Sequence, residues 1–188
     1  VILTGPAPAG GVQIALSSSN PTVATVPSTV PVPENQNQAT FAVTTSVVTA
    51  TQSVTITATY GSSTPTALLT VNPLPTITTT VLPSPWTQGV AYPSTTLVAT
   101  GGTGAYGWSV PTGPLPPGLT LDPLTGLLSG TPTSAGAFSF TVRVTDAVGG
   151  TGEKPYSVTI NPPLQITTTS LPSGVVNAAY SATLQATG

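Results

Sequence analysis

Residues Leu115–Asp146, LPPGLTLDPLTGLLSGTPTSAGAFSFTVRVTD, decide how this chain folds. Pro116, Pro117 and Gly118 set a tight reversal, because proline presets φ and glycine tolerates the left-handed region. Leu119 and Leu121 then alternate with Thr120 as a short strand. Asp122, Pro123, Leu124, Thr125 and Gly126 form a turn with proline in its second place and glycine closing it, and Leu127 and Leu128 start another strand. Gly130, Thr131 and Pro132, followed by Ser134, Ala135 and Gly136, mark a longer corner. Beyond it Phe138, Phe140, Val142 and Val144 alternate with Ser139, Thr141, Arg143 and Thr145, a period of two that predicts a strand with one buried and one wet face.

The punctuating positions Leu115, Pro116, Gly118, Leu119, Leu121, Asp122, Thr125, Gly126, Ser129, Gly130, Thr131, Pro132, Gly136 and Asp146 carry a family resemblance. The run resembles the central motif of the He-PIG, cadherin-like immunoglobulin repeats of large bacterial surface proteins, LPxGLxLDxxTGxLSGTPTxAGxxxFTVxVTD. The resemblance covers about residues 75–161. It implies an extracellular seven-stranded sandwich used as a spacer or adhesion repeat, and it brings no activity with it.

Working outward, 188 residues leave room for one large domain or for two sandwiches of about 90 to 100 residues, each able to bury a core. Only Glu34, Asp122, Asp146, Glu153, Arg143 and Lys154 are charged, 3% of the chain against about 25% in an ordinary soluble domain. Solubility therefore rests on Thr, Ser, Asn and Gln. Two isolated cations cannot displace counterions from a polyanion, so neither nucleic acid nor an anionic membrane surface is an expected partner. Cys, Met and His are absent, which removes disulfides, thiolate and imidazole metal sites, and every dyad or triad that needs those groups. No apolar run approaches the roughly 18 residues of a membrane-spanning helix.

The chain divides at two prolyl joints, Asn72-Pro73-Leu74-Pro75 and Asn161-Pro162-Pro163-Leu164, whose stiffness predicts a restricted angle between neighbours. ITTTVLPS from Ile77 returns as ITTTSLPS from Ile166, 89 residues later, and ATG at Ala99–Gly101 returns at Ala186–Gly188, 87 later. Tyr92 falls on Tyr180. This is an internal repeat. The expected organisation is a sandwich at 1–73, a second at 74–162, and the first strands of a third, truncated repeat at 163–188, all-β throughout: tandem immunoglobulin-like β-sandwiches on short Pro-rich linkers.

In the first unit, Val1–Leu3 and Val12–Ser17 read as two strands around a Pro/Gly reversal, followed by a strand at Val23–Val26 and a Pro-interrupted one at Val30–Pro33. Phe41 and Val43 are expected to lead a strand out of the polar loop Glu34–Gln38. Val54, Ile56, Ala58 and Tyr60 mark the next, and Leu68, Leu69 and Val71 the last. This stretch is similar to a bacterial immunoglobulin-like module that has one more strand ahead of Val1. Val1 follows no Met, basic region or cleavage site. The ends therefore read as a window on a longer polypeptide, because residues 166–188 match the start of the second unit and not the strand missing from the first. In the alternative, a whole subunit, residues 165–187 carry two strands with nothing to pair with, and strand addition to the open edge of the next copy builds a filament.

The four carboxylates are the candidates for chemistry. Asp146 is a weak calcium candidate at the position where a cadherin-like domain can hold the ion, but such sites pool several acids and the prolyl joints supply none. Asp146 and Asp122 are read as capping their own turns. No spacing suggests a paired-carboxylate cleft, so no enzyme and no cofactor is expected. Lys154, in TGEKPY, reads as a solvated hairpin tip rather than as a crosslinking lysine. Trp108 reads as core. Trp86, in a Pro-flanked segment whose repeat counterpart is near Val175, is the candidate contact for a partner or a glycan, since an exposed aromatic face suits a pyranose. The runs Thr76–Thr80 and Thr167–Ser170 read as edge strands with hydroxyls outward or as O-glycosylation sites, and Pro31, Pro33, Pro83 and Pro85 as edge protection. The function these features favour is a non-catalytic structural segment of a bacterial extracellular or cell-surface protein, a stalk, fibre, filament or sheath. Its partners would be neighbouring immunoglobulin-like domains or identical subunits. The alternative is an adhesin or carbohydrate-binding module that contacts cell-surface glycans.

Overall fold

Short alternating runs separated by Pro, Gly and Asx turns leave no stretch long enough for a helix, and the computed structural model, which describes residues 1–188, is all strand and turn. Backbone contacts gather the chain into two compact units, Val1–Leu74 with Gly101–Thr103, and Pro75–Thr100 with Gly104–Gly188.

The first unit holds β1 (Val12–Ser18), β2 (Ala24–Thr25), β3 (Thr29–Val32), β4 (Thr44–Thr45), β5 (Gln52–Thr59) and β6 (Thr66–Val71). One sheet has the order β3-β1-β5-β6, and β2 pairs with β4. Val12, Ile14 and Leu16 of β1 point inward, as their alternation requires, and pack with Val30 and Val32 of β3. Pro31 sits within β3, which is an outer strand, so its missing N–H interrupts no interior ladder.

Two expectations fail here. Val1–Leu3 does not pair with β1: Ile2 bridges Gln38, Leu3 N–H donates to Asn37 O, and Ala39 N–H donates to Val1 O, so this apolar segment runs beside the polar loop. Phe41 and Val43 lie outside any strand, and only Thr44–Thr45 is paired; Phe41 instead bridges the unit's two core clusters as a half-buried ring. The last strand forms where expected, as β6; Val71 is buried and Leu68, three residues away and so on the other face, is 71% exposed.

The second unit holds β7 (Thr76–Ile77), β8 (Trp86–Thr87), β9 (Thr95–Thr96), β10 (Ala99–Thr100), β11 (Gly107–Thr112), β12 (Leu119–Leu121), β13 (Leu127–Gly130), β14 (Gly136–Thr145), β15 (Thr151–Asn161), β16 (Gln165–Ile166) and β17 (Ala186–Thr187). Two sheets, β11-β14-β15-β8 and β12-β13-β9, enclose the core, with β7 and β10 paired beside them. Every pairing is antiparallel except β8 with β15. Phe140, Val142 and Val144 from β14 meet Tyr156, Val158 and Ile160 from β15 and Trp108, Leu119 and Leu128 from the other strands. Each such side chain contributes about 1.5–3 kcal/mol by leaving water.

The deciding stretch folds as its residues dictate. Gly118 has φ +90°, and a Cβ there would collide with the Thr131 carbonyl. Gly126 has φ +71° and lies against the Trp108 ring, which a Cβ would meet at 2.8 Å. Pro116 and Pro132 do more than turn the chain, since both side chains are fully buried. The Thr-rich runs differ from expectation: only Thr76–Ile77 of the first is laddered, and the strand beside the second is Gln165–Ile166. Lys154 is likewise no hairpin tip. It lies inside β15 opposite Val142, half-buried, with Nζ donating to Ile77 O at 3.4 Å, while the tip is formed by Ala147–Gly150.

Candidate functional site

The carboxylates are all engaged locally. Asp122 Oδ1 accepts the N–H groups of Leu124 and Thr125, both at 2.9 Å; the Thr125 backbone bond first, then that of Leu124, holds the carboxyl below its ordinary pKa. Asp146 is buried, and its Oδ1 accepts Val148 N–H at 3.0 Å and Gly150 N–H at 2.7 Å across the β14–β15 turn. Gly150 leaves the room this needs, since a Cβ there would stand 3.0 Å from Asp146 Oδ2. Glu34 accepts from Gly10 N–H. Glu153 pairs with Arg143 across β14 and β15 at 2.6 Å, not with its neighbour Lys154. No group of three or more Asp or Glu side chains converges as a metal would require. Asp146, the calcium candidate, presents Oδ1 to its own turn.

Trp86 is half-buried in β8. Its ring meets Tyr92 edge to face, with centroids 6.1 Å apart, and Nε1 donates to Val90 O at 3.1 Å. Tyr92 is 3% exposed and donates its hydroxyl to Pro83 O at 2.7 Å; burial pushes its pKa up to about 12. Burial also raises that of Tyr156, whose hydroxyl donates to Thr79 O.

What stands open in this chain is apolar surface and sheet edge. In the segment 164–188, Ile166, Leu171, Val175, Val176, Tyr180 and Leu184 are each about half exposed or more. Its two strands pair with each other: Ile166 with Ala186 and Gln165 with Thr187, in the register of Ile77 with Ala99 and Thr76 with Thr100. In the first unit, β6 is outermost in its sheet, and two clefts open beside it and Val1–Ile2. One of about 380 Å³ reaches Pro8, Val12 and Tyr60. The other, about 250 Å³, is lined by Leu16, Phe41, Ile56, Ala58 and Pro65–Ala67. The clefts have no signal in the sequence, because they form between residues distant in the chain.

The profile of the family described as Putative Ig domain matches residues 69–161, and this stretch of the chain belongs to that family. It is an immunoglobulin-like, cadherin-like β-sandwich, as the motif at Leu115–Asp146 implies. No curated protein matches the sequence. Among solved structures, the C-terminal 282-residue fragment of intimin, in complex with the intimin-binding domain of the translocated intimin receptor, is similar at 19% identity over 82% of this chain and 54% of that chain, with a TM-score of 0.48. Mouse cadherin-23 EC22-24 is similar at 17% identity over 80% of this chain and 53% of that one, TM-score 0.39. An endo-fucoidan hydrolase of glycoside hydrolase family 107 is similar at 14% identity over 86% of this chain but 28% of its own, TM-score 0.36. The chain spans about half the length of the first two. No helix is long and apolar enough to cross a membrane.

Proposed function

We propose that the chain is a non-catalytic structural segment of a bacterial extracellular or cell-surface protein, a stalk, fibre, filament or sheath of tandem immunoglobulin-like domains. In this reading the domains are 1–73, 74–162 and the opening strands of a further repeat at 163–188. The observation that carries it is the repetition of local geometry together with sequence. Thr78 N–H donates to Val98 O and Thr167 N–H to Gln185 O, each at 2.8 Å; Tyr92 donates to Pro83 O and Tyr180 to Pro172 O, each at 2.7 Å. Repetition at a fixed period with local turn chemistry is how a chain multiplies a spacer. The carboxylates support a non-catalytic role, because each is bonded to a backbone or a cross-strand partner rather than facing a shared cleft. The partners are then neighbouring domains or identical subunits.

Antibodies raised against the 188-residue chain should label intact, unpermeabilised source cells along extended surface structures. Signal confined to lysed cells would sink the reading, as would release of reducing ends from polysaccharides incubated with the chain.

A further inference from the structure

Along one side β15 pairs with β14, and along the other it is covered near its two ends. Near its start Lys154 Nζ donates to Ile77 O, and the Pro75 carbonyl stands where a Cβ on Gly152 would be. At its finish Ile160 pairs with Trp86 and Asn161 with Thr87. Between these places residues 80–84 stand off from the strand and leave a groove of about 890 Å³, within the range of about 300–1,000 Å³ for small-ligand sites. Its lining, residues 80–84, 95 and 155–157, falls inside the stretch 69–161 that matches the family, so that domain builds the groove by itself.

Two bonds fix which way the main chain of β15 faces here. Thr159 N–H donates to Ser84 Oγ and Gln88 N–H to Asn161 O, each at 2.9 Å, so the odd-numbered residues turn their N–H and C=O away from β14. Ser157 shares that parity, and its Oγ lies 3.0 Å from that of Ser139, as befits the closely opposed, non-hydrogen-bonded positions of an antiparallel pair. Its N–H and C=O therefore enter the groove without a protein partner. No further strand can be laddered there, because the neighbouring odd positions offer no donor: Pro155 has no N–H, and that of Thr159 is taken. The opening is one residue long. Its walls are held by the Tyr156 hydroxyl on Thr79 O and the Tyr92 hydroxyl on Pro83 O, both at 2.7 Å.

We propose that this groove binds a neutral sugar, with Ser157 N–H donating to one ring hydroxyl and Ser157 C=O accepting from the hydroxyl beside it. A vicinal diol offers an acceptor and a donor side by side, which is what a one-residue opening can use. The rest of the lining suits the same ligand. Thr80, Ser84 and Thr95 supply hydroxyls, Pro83 and Pro155 supply apolar surface for the C–H face of a pyranose, and no charged side chain lines the groove. A uronic or sulfated sugar would bring a charge that nothing there meets. Trp86 is not part of the lining, so the site is separate from the aromatic contact expected from the sequence. The wall bonds hold the groove open in advance of the ligand, which spares the cost of ordering it. Sugar binding goes beyond the spacer role and does not depend on it.

Amide NMR on the 188-residue chain tests it, with cellotriose, maltotriose, mannotriose and xylotriose as neutral probes and trigalacturonate as the charged one. In the free protein the Ser157 amide should exchange with water as fast as a loop amide, and at least one neutral probe, at up to about 10 mM, should shift it along a saturating curve. Thr80→Trp, a bulky side chain at an exposed position on the rim, should abolish the shift. Ser157→Ala keeps both main-chain groups and should bind within about twofold of the parent, whereas Ser157→Pro removes the N–H that faces the groove and should weaken binding about fivefold or more, read from neighbouring amides. Circular dichroism reports the fold of Ser157→Pro, and Thr80→Trp carries the test if that variant unfolds. A Ser157 amide protected in the free protein overturns the proposal, as does the absence of a shift with every neutral probe, a shift that survives in Thr80→Trp, or a preference for trigalacturonate. None of these results bears on surface labelling.

Discussion

Residues 75–101 and 164–188 make the same local bonds and end in opposite environments. Beyond the matched strand and tyrosine bonds, Val98 N–H donates to Thr79 Oγ1 in the first segment and Gln185 N–H to Thr168 Oγ1 in the second. In 75–101, Ile77, Leu82, Tyr92 and Leu97 are 3–8% exposed; their counterparts Ile166, Leu171, Tyr180 and Leu184 are 49–66% exposed. The difference is the company each keeps. Residues 104–161 supply Trp108, Leu128, Val144, Val158 and Ile160 against the first segment, whereas no comparable set of strands faces the second. Turn and hydrogen-bond chemistry therefore forms this segment's local structure independently of its burial.

The largest test removes that company. Gly118→Ala forces a side chain into left-handed backbone and against the Thr131 carbonyl, and the sum of about 1–3 kcal/mol of strain and about 1–3 of overpacking predicts a loss of about 4 kcal/mol. Denaturant unfolding followed by tryptophan fluorescence should show it. Hydrogen exchange in 75–101 should then rise toward that of 164–188, and a variant of parental stability would break the comparison.

Next come matched truncations. Leu97→Ala should cost about 2–5 kcal/mol, because it leaves a cavity in a packed core. Leu184→Ala, at an exposed position, should stay within about 0.5 kcal/mol. Equal losses from the two would mean that 164–188 is packed in solution.

The tyrosines sharpen the contrast through pH. Tyr92 is held neutral by burial, with its pKa raised from 10.0 to about 12. The unfolded chain releases this proton first, so stability is intact below pH 10 and falls as pH rises from about 10 to about 12. Tyr92→Phe should remove Tyr92's share of that fall in alkaline denaturation curves; an unchanged curve would deny Tyr92 its place in the core. At neutral pH the effect is smallest. Losing the bond to Pro83 O should cost about 1 kcal/mol in Tyr92→Phe, and less than about 0.5 in Tyr180→Phe, whose Pro172 partner has water at hand. Thermal melts of the two variants would separate them.

Where sequence reading succeeded, the structure-determining forces were local. Asp122 and Asp146 cap turns with N–H groups two to four residues away, and glycine is required at 118 and 126 by backbone angle and by a near neighbour. Where reading failed, a distant partner decided. Val1–Leu3 lies against Gln36–Ala39 instead of β1. Lys154 is drawn into a long strand by ten residues of pairing with β14, although Gly152 and Pro155 beside it suggest a turn. The Thr-rich runs have strand propensity but few facing backbones to pair with. Trp86, set apart in the repeat as the candidate contact, is half-buried, with the Tyr92 ring turned edge-on beside it.

By itself the sequence determined the all-β class, the turns of Leu115–Asp146, the alternating faces of β1, β14 and β15, and the repeat that makes 164–188 a copy of 75–101. All of these follow from φ preferences and from bonds that close within a few residues or across one hairpin. Only the tertiary structure decided that Ile77, Leu82, Tyr92 and Leu97 are core while Ile166, Leu171, Tyr180 and Leu184 are surface, and that β15 has a parallel neighbour while β6 has none. Burial and edge pairing need a second surface brought from far along the chain. Identical residues therefore meet different fates where that surface is present and where it is not.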